Sequence, residues 1–125
     1  LFYGRENVEL LVQVLINENI TNPIIGFNIK DGFGQIIFGS NTLLTKKRDL
    51  ISCRENEIIE SRFQFLMPVL KGGKYTIDCA VASGTLNYHI FQHYIYDALA
   101  FEMNRNDNCY GTILIENIKS KTSKI

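Results

Sequence analysis

The stretch NPIIGFNIKDGFGQIIFGSNT, from Asn22 to Thr42, decides the fold class of this chain. Two apolar runs flank Asp31–Gly34, where Asp-Gly and a second glycine supply the positive φ angles of a tight reversal. The pattern predicts a β-hairpin with strands over Ile24–Lys30 and Gln35–Phe38. We expect the polar Ser40-Asn41-Thr42 to close the hairpin through side-chain to backbone hydrogen bonds.

Alternation of apolar and polar residues continues along the chain. Further strands are predicted over residues 8–16, 57–67, 71–81, 94–103 and 111–118. In the fourth of these, Leu99, Phe101 and Met103 are expected to face the core. Capped helical periodicity is absent. About seven short strands in roughly 100 residues predict an all-β fold, an immunoglobulin-like antiparallel β-sandwich.

The segments between these strands are polar and interpreted as connections. They cover residues 17–23, where Pro23 stops a sheet ladder, and residues 43–56, 84–93 and 104–108. At most a single helical turn is expected, around Asn87.

The composition is that of a globular protein without net charge. Of the 125 residues, 46% are hydrophobic and 21% charged, and 13 basic residues balance 13 acidic ones. Proteins that bind nucleic acid or anionic membranes need an excess of basic side chains, so both classes are disfavoured. No apolar run approaches the roughly 18 residues of a membrane helix.

The cysteines and histidines do not indicate a metal or a disulfide framework. Cys53, Cys79 and Cys109 are odd in number and widely spaced, so we expect free thiols in a reducing compartment. His89 and His93 would share a face only on a helix. In a strand they lie roughly 13 Å apart, at about 3.3 Å per residue, and cannot share an ion. We therefore expect no cofactor and no catalytic metal.

The segment Gly73–Cys79 is similar to the penultimate strand of an immunoglobulin-like sandwich. There, a tyrosine near the strand start precedes a core cysteine, and its hydroxyl bonds to nearby backbone. Here Tyr75 precedes Cys79 by four positions instead of two, and no cysteine lies in residues 8–16 to form the inter-sheet disulfide. Cys79 is therefore interpreted as a small buried apolar residue.

The hairpin also resembles a known family. Asn22-Pro23-Ile24-Ile25-Gly26-Phe27-Asn28-Ile29-Lys30-Asp31, then Gly34, then Phe38-Gly39-Ser40-Asn41-Thr42, resembles the C-terminal domain of Wzt-type proteins, the ATP-binding subunits of O-antigen polysaccharide ABC transporters. Gly73 with Tyr75 and the strand around Ala100-Phe101 are also similar. The resemblance runs from about residue 4 to residue 116.

This resemblance implies a non-catalytic carbohydrate-binding module that recognises the capped end of the glycan before export. It implies an immunoglobulin-like dimer, in which we expect residues 111–118 to be the exchanged strand. It also implies a location at the cytoplasmic face of the bacterial inner membrane, next to the transporter's membrane subunit. The chain has no GxxxxGK[ST] motif, so residues 1–125 are interpreted as one domain of a longer chain whose N-terminal domain is the ATPase.

A sugar site needs planar groups for stacking and polar groups for the hydroxyls. Outward positions on neighbouring strands, and the loop before the 94–103 strand, offer both. The candidate carbohydrate-binding residues are Asn28, Lys30, Asp78, Tyr88, His89, Tyr94 and Tyr96. If the glycan cap is anionic, Lys30 or a histidine is expected to pair with it.

Other interpretations stay open at this stage. Outward polar residues are often simply solvated, and outward tyrosines also suit a dimer interface. A rival surface carries Gln13, Arg62 and Gln64, and the apolar Leu11 and Leu15 suggest that it is covered. The alternative function is therefore a dimerisation or protein-interaction sandwich without glycan specificity. A glycosidase is disfavoured because the sequence gives Asp78, Asp97 and Glu102 no sign of convergence.

Overall fold

The structure, a computed structural model, describes residues 1–45, 52–85, 88–105 and 109–124, with His89 as backbone only. The described residues form eight strands and no helix. The strands are β1 (Asn7–Leu15), β2 (Ile20–Thr21), β3 (Ile24–Lys30), β4 (Ile36–Asn41), β5 (Ser52–Cys53), β6 (Ile58–Leu66), β7 (Gly73–Gly84) and β8 (His89–Met103).

The strands form antiparallel sheets of unequal width. One sheet has four strands in the order β4-β3-β7-β8, and β1 pairs with β6 in a two-stranded sheet. A small third pair, β2 with β5, joins two segments predicted as loops. The all-β sandwich predicted from the sequence is confirmed.

The core lies between the β1–β6 pair and the inner face of the four-stranded sheet. Phe27 of β3 reaches across to β6, with ring centroids 5.0 Å from Phe63 and 5.8 Å from Phe65. Each such aromatic pair contributes about 0.5–1.5 kcal/mol beyond the burial of its area. The buried core residues are Leu10, Val12, Ile25, Phe27, Ile29, Phe63, Met67, Leu70, Tyr75, Ile77, Val81 and Met103.

The β3–β4 hairpin forms as predicted, and its ends are held by local hydrogen bonds. The Asp31 carboxylate accepts hydrogen bonds from the backbone N–H groups of Phe33 and Gln35, both at 2.9 Å, and Gly34 has a φ of 80°. The predicted closing bonds are present. Asn41 Oδ1 accepts from two backbone N–H groups at 3.0 Å, and Thr42 Oγ1 accepts from Ile25 at 3.1 Å.

The tyrosine predicted from the immunoglobulin comparison makes the expected backbone contact. Tyr75 is buried, and its hydroxyl donates a 2.6 Å hydrogen bond to the carbonyl oxygen of Lys71. This bond links the start of β7 to the segment before it. Cys79 is only half buried and carries a free thiol at the edge of the core.

Strand β8 is longer than predicted. The prediction of a loop over residues 84–93 is wrong for most of that range, because β8 begins at His89 and Ile90 pairs with Ser83. Solvent-exposed Gln92 and His93 conceal this edge strand in the sequence. The helical turn predicted around Asn87 lies outside the described residues.

Leu99, Phe101 and Met103 of β8 face inward as predicted, but they are buried to different extents. Met103 is buried and Phe101 packs against the core, whereas Leu99, opposite Ile77, is 57% exposed. The cause is geometric, because a two-stranded sheet cannot cover the inner face of a four-stranded one. The edge strand is left partly uncovered.

The prediction of a strand over residues 111–118 is wrong for this structure. Only a bridge between Ile113 and Leu70 forms, with hydrogen bonds from Lys71 N to Thr112 O at 2.8 Å and from Leu114 N to Val69 O at 3.0 Å. A β-prone segment becomes a strand only where a partner strand is available along its length. Within the described residues, that partner is limited to the short segment around Leu70.

Candidate functional site

The candidate site lies on the outer face of the four-stranded sheet. Asn28 and Lys30 alternate with the buried residues of β3, and they pair in register with Asp78 and Thr76 of β7. Strand geometry therefore brings these side chains to one surface, as the sequence predicts.

A bulge in β8 completes this surface. Ile77 pairs with Leu99 and Cys79 pairs with Ile95, so residues 96–98 lie opposite Asp78 alone. Asp97 has a φ of 54°, a left-handed conformation that aspartate and asparagine adopt more readily than most residues. Its backbone N–H donates a 2.9 Å hydrogen bond to Asp78 Oδ1, which anchors the bulge.

Lys30 joins two carboxylates from different strands. Its Nζ lies 3.0 Å from Asp78 Oδ1 and 3.0 Å from Asp97 Oδ1. The side chain of Asp78 is 2% exposed, that of Lys30 is 15% exposed, and that of Asp97 is 61% exposed. The three charges sum to one negative charge, and the accessible part of the cluster is the Asp97 carboxylate.

These contacts shift the pKa values of Lys30 and Asp97 in the directions that keep both side chains charged. Hydrogen bonds to Asp78 and then to Asp97 raise the pKa of Lys30. Hydrogen bonds from Lys30 and then from Thr76 lower the pKa of Asp97. Lys30 and Asp97 are therefore both charged at neutral pH.

Tyr94 connects the charged cluster to a row of aromatic rings. Its hydroxyl donates a 3.1 Å hydrogen bond to Asp78 Oδ2 and is also bonded to the Asn28 side chain. Burial is the main cause of its raised pKa, so the phenol stays protonated. The Tyr94 ring lies 4.4 Å from Tyr96 and 5.3 Å from Phe91, and Lys30 Nζ sits 5.4 Å from the Tyr96 ring centre.

A surface cavity of about 160 Å³ opens beside this row. Small side chains form its floor, aromatic and aliphatic groups form its walls, and polar groups lie on its rim. The floor is Gly26, Ala80 and Ala82, the walls are Ile24, Phe91 and Tyr94, and the rim is Asn28, Ser40, Asn41 and Asp78. Phe27 and Cys79 complete the lining, although their side chains turn toward the core.

The position of Asn28 on the cavity rim depends on close packing between β3 and β4. A Cβ on Gly39 would lie 2.4 Å from the carbonyl oxygen of Phe27 and 2.5 Å from Asn28 Oδ1. A glycine at this position therefore allows Asn28 to lie flat over β4 and reach Tyr94.

The structure brings five of the seven predicted site residues together. Asn28, Asp78 and Tyr94 line the cavity, and Lys30 and Tyr96 adjoin it. Tyr88 is 86% exposed and lies outside the cavity lining, while His89 starts β8 and its side chain is outside the described residues.

Sequence reasoning missed Asp97 as a member of the site. Simple alternation from Leu99 and Phe101 places Asp97 on the inner, apolar face of β8. A charged residue at an inward position is a signal for a bulge, since the bulge is what turns Asp97 outward.

The expectation that the carboxylates do not converge is wrong for one pair. Asp78 and Asp97 both contact Lys30, which the alternation pattern concealed because it put them on opposite faces. As for metals, the described residues contain no group of three His, Cys, Asp or Glu side chains suited to an ion.

The rival surface on the β1–β6 sheet is occupied by its own polar contacts. Arg62 lies 3.3 Å from Glu9 and 3.2 Å from Glu60. Gln13 donates a 2.9 Å hydrogen bond to Glu60, and Gln64 donates one of 3.0 Å to Glu9. A broad recess of about 550 Å³ opens at one end of this sheet, lined by Asn7, Val8, Glu9, Gln64, Phe65 and Leu66. Two of its polar groups, Glu9 and Gln64, are already bonded to each other.

The fold and the site together define a β-sandwich domain with a polar and aromatic surface pocket. The family model for the Wzt C-terminal domain matches residues 1–115. A solved structure, "Crystal structure of the C-terminal domain of wzt", superposes with a TM-score of 0.80 at 20% sequence identity. The match covers 98% of this chain and 73% of that chain. No curated protein matches the sequence.

The chain therefore belongs to the Wzt C-terminal domain family, which confirms the resemblance seen in the hairpin. Domains of this family belong to O-antigen ABC transporters and are distinct from the transporter's ATPase domain. In the described ranges, no helix is long and apolar enough to cross a bilayer.

Proposed function

We propose that this domain is a non-catalytic carbohydrate-binding module that recognises the capped non-reducing end of an O-antigen polysaccharide during ABC-transporter export. The observation that carries the proposal is the cavity on the outer sheet face, where the Tyr94 ring stands beside small and polar groups. Family membership supports the transporter context, and the cavity supports the class of ligand.

The cavity has the two features that sugar recognition needs. The aromatic row formed by Phe91, Tyr94 and Tyr96 offers surfaces against which sugar C–H groups can stack. Asn28 and Asn41 on the rim supply amide groups that both donate and accept hydrogen bonds. Most of this arrangement is held by strand pairing, so little ordering would be needed on binding.

The state of the two carboxylates argues against glycoside hydrolysis. A glycosidase needs a carboxylic acid with a raised pKa to protonate the leaving group. The pKa of Asp97 is lowered instead, and Asp78 is buried beneath Lys30. Neither carboxylate is placed to deliver a proton to a bound sugar.

The transporter context extends the proposal to the whole protein. Residues 1–125 would be one sandwich domain of a longer chain with an N-terminal ATPase domain. That protein would contact the transporter's membrane subunit at the cytoplasmic face of the bacterial inner membrane. We also propose a homodimer formed by exchange of residues 111–118. Ile113 and Ile115 are exposed, and among the described residues this segment pairs only around Leu70.

A second candidate function is a protein-interaction or dimerisation scaffold without glycan specificity. Ile95 and Leu99 lie on the uncovered part of the inner face and are 44% and 57% exposed. Exposed apolar side chains grouped in this way are typical of protein contacts. This candidate predicts a dimer that is indifferent to glycan.

The test is an NMR titration of the domain with lipid-free O-polysaccharide from its own strain, capped and uncapped. We expect shifts on the outer sheet face with the capped form only. Tyr94→Ala should abolish them, whereas Tyr94→Phe, which keeps the ring, should retain most of the binding. Arg62→Ala on the rival surface is the control and should bind normally. Failure of both polysaccharides to bind, with an intact dimer, would leave the scaffold function.

A further inference from the structure

We propose, as an extension of the proposed function, that the cavity binds a neutral sugar carrying a methyl group, such as a 6-deoxy or N-acetyl sugar, and excludes anionic sugars. The inference rests on the charges beside the cavity and on its size and lining. It replaces the expectation that Lys30 pairs with an anionic cap.

Lys30 is already occupied by carboxylates. Its Nζ lies 3.0 Å from Asp78 and 3.0 Å from Asp97, and its side chain is only 15% exposed. These carboxylates take two of the three donors of the ammonium group, so an incoming phosphate or carboxylate would have to use the third donor beside two negative charges or displace a partner. Displacing Asp78, which is 2% exposed, would leave a buried carboxylate without its cation, and this is strongly unfavourable.

The accessible charge next to the cavity is negative. Asp97 is 61% exposed, and the cluster as a whole carries one negative charge. The described residues that line the cavity include no lysine, arginine or histidine. An anionic sugar would therefore meet repulsion without a compensating cation, whereas a neutral sugar would not.

The size and lining of the cavity favour a small apolar group. Its volume is about 160 Å³, several times the roughly 30 Å³ that one water occupies in the liquid, so it has room for a group of a few heavy atoms. Ile24, Ala82 and Phe91 form its apolar side, and Asn28 and Asn41 lie on the rim. This division suits a methyl group directed inward and hydroxyl groups directed to the rim.

The first experiment is an NMR titration with methyl glycosides in glucose, galactose and mannose configurations. Each configuration is tested with a methyl, a hydroxymethyl and a phosphorylated hydroxymethyl group at C5. We expect the 6-deoxy member of the responsive configuration to bind about tenfold more tightly than its phosphorylated counterpart, a difference of about 1.4 kcal/mol. Shifts should centre on Gly26, Ala80 and Tyr94. Binding of the hydroxymethyl member as tight as that of the 6-deoxy member, or tighter binding of the phosphorylated member, would overturn the inference.

The second experiment uses the native O-polysaccharide at low and high salt, with wild type and Asp97→Asn. Binding of a neutral group should be insensitive to salt in both proteins. Affinity that changes with salt in wild type, together with tighter binding in Asp97→Asn, would show an anionic ligand and overturn the inference while the proposed function stands. Absence of polysaccharide binding at every salt concentration would overturn both.

Discussion

Lys30 and Asp78 form a diagonal ion pair across β3 and β7, with 3.0 Å between Nζ and Oδ1 although neither is the other's register partner. Asp78 faces Asn28 in register, and Lys30 faces Thr76. The diagonal contact leaves Asn28 free to bond Tyr94, so one buried carboxylate organises the whole cluster. We regard Asp78 as a positioning residue beneath the site and Tyr94 as the residue that contacts the ligand.

Asp78→Ala should be among the most damaging single substitutions on the outer face. It removes the acceptor for Lys30, Tyr94 and the Asp97 backbone at once. We expect a loss of about 3 kcal/mol in the free energy of unfolding, the lower end for a broken buried pair, because Asp97 still holds Lys30. Chemical denaturation measures this. In a double-mutant cycle, Lys30→Met with Asp78→Ala should cost less than the sum of the two, and simple additivity would contradict the pairing.

The acid sensitivity of the domain should depend on Asp97. Its pKa is lowered in the folded state, so its stabilising contribution is present above the ordinary value of 3.8 and is lost as the pH falls through the folded pKa. Lys30, with a raised pKa, contributes below its ordinary value of 10.5 and loses this contribution as the pH rises through its folded pKa. Asp97→Asn keeps the left-handed backbone and should flatten the fall in melting temperature below about pH 4. A melting temperature that falls as steeply at low pH in Asp97→Asn as in wild type would refute this role.

Gly39→Ala should destabilise the domain and weaken binding together. The added Cβ would meet the backbone carbonyl of Phe27 at 2.4 Å and displace Asn28 from its position over β4. We expect a cost of about 1–3 kcal/mol, typical of overpacking. Gly32→Ala is the matched control, because no atom lies within 4 Å of its added Cβ. Both variants are compared by thermal melting and by glycan titration. Equal stability and equal affinity in Gly39→Ala and Gly32→Ala would contradict the close packing at Gly39.

Tyr75→Phe should lower stability without affecting the cavity. The substitution removes the 2.6 Å hydrogen bond to the Lys71 carbonyl and leaves the ring in the core. A loss of about 1 kcal/mol is expected for one hydrogen bond. Tyr110→Phe serves as the control, since Tyr110 is 98% exposed. Glycan affinity should be the same in all three proteins, and a drop confined to Tyr75→Phe would mean that the two ends of β7 are coupled.

The hairpin was predictable because its information is local. The Asp31–Gly34 turn and the Asn41 and Thr42 bonds all join residues close in sequence or across one strand pair. Alternation also predicted which side of β3 and β7 faces outward, which brought Asn28, Lys30 and Asp78 to one surface.

The bulge and the edge strands were not predictable in the same way. Alternation assumes an unbroken strand, so it assigned Asp97 to the wrong face and concealed its contact with Lys30. Residues 89–93 and 111–118 lie at the periphery, where partner availability decides whether a segment pairs. That availability depends on the tertiary arrangement and not on local composition.

The most direct test of the central claim is calorimetric titration of a cavity-filling variant with native O-polysaccharide. Ala80→Leu adds an apolar side chain to the cavity floor, while Ala100→Leu makes the same change at an exposed position of β8 that does not line the cavity. We expect Ala80→Leu to lose at least about tenfold in affinity and Ala100→Leu to bind as wild type does. Wild-type affinity in a folded Ala80→Leu protein would contradict the claim that this cavity holds the glycan end.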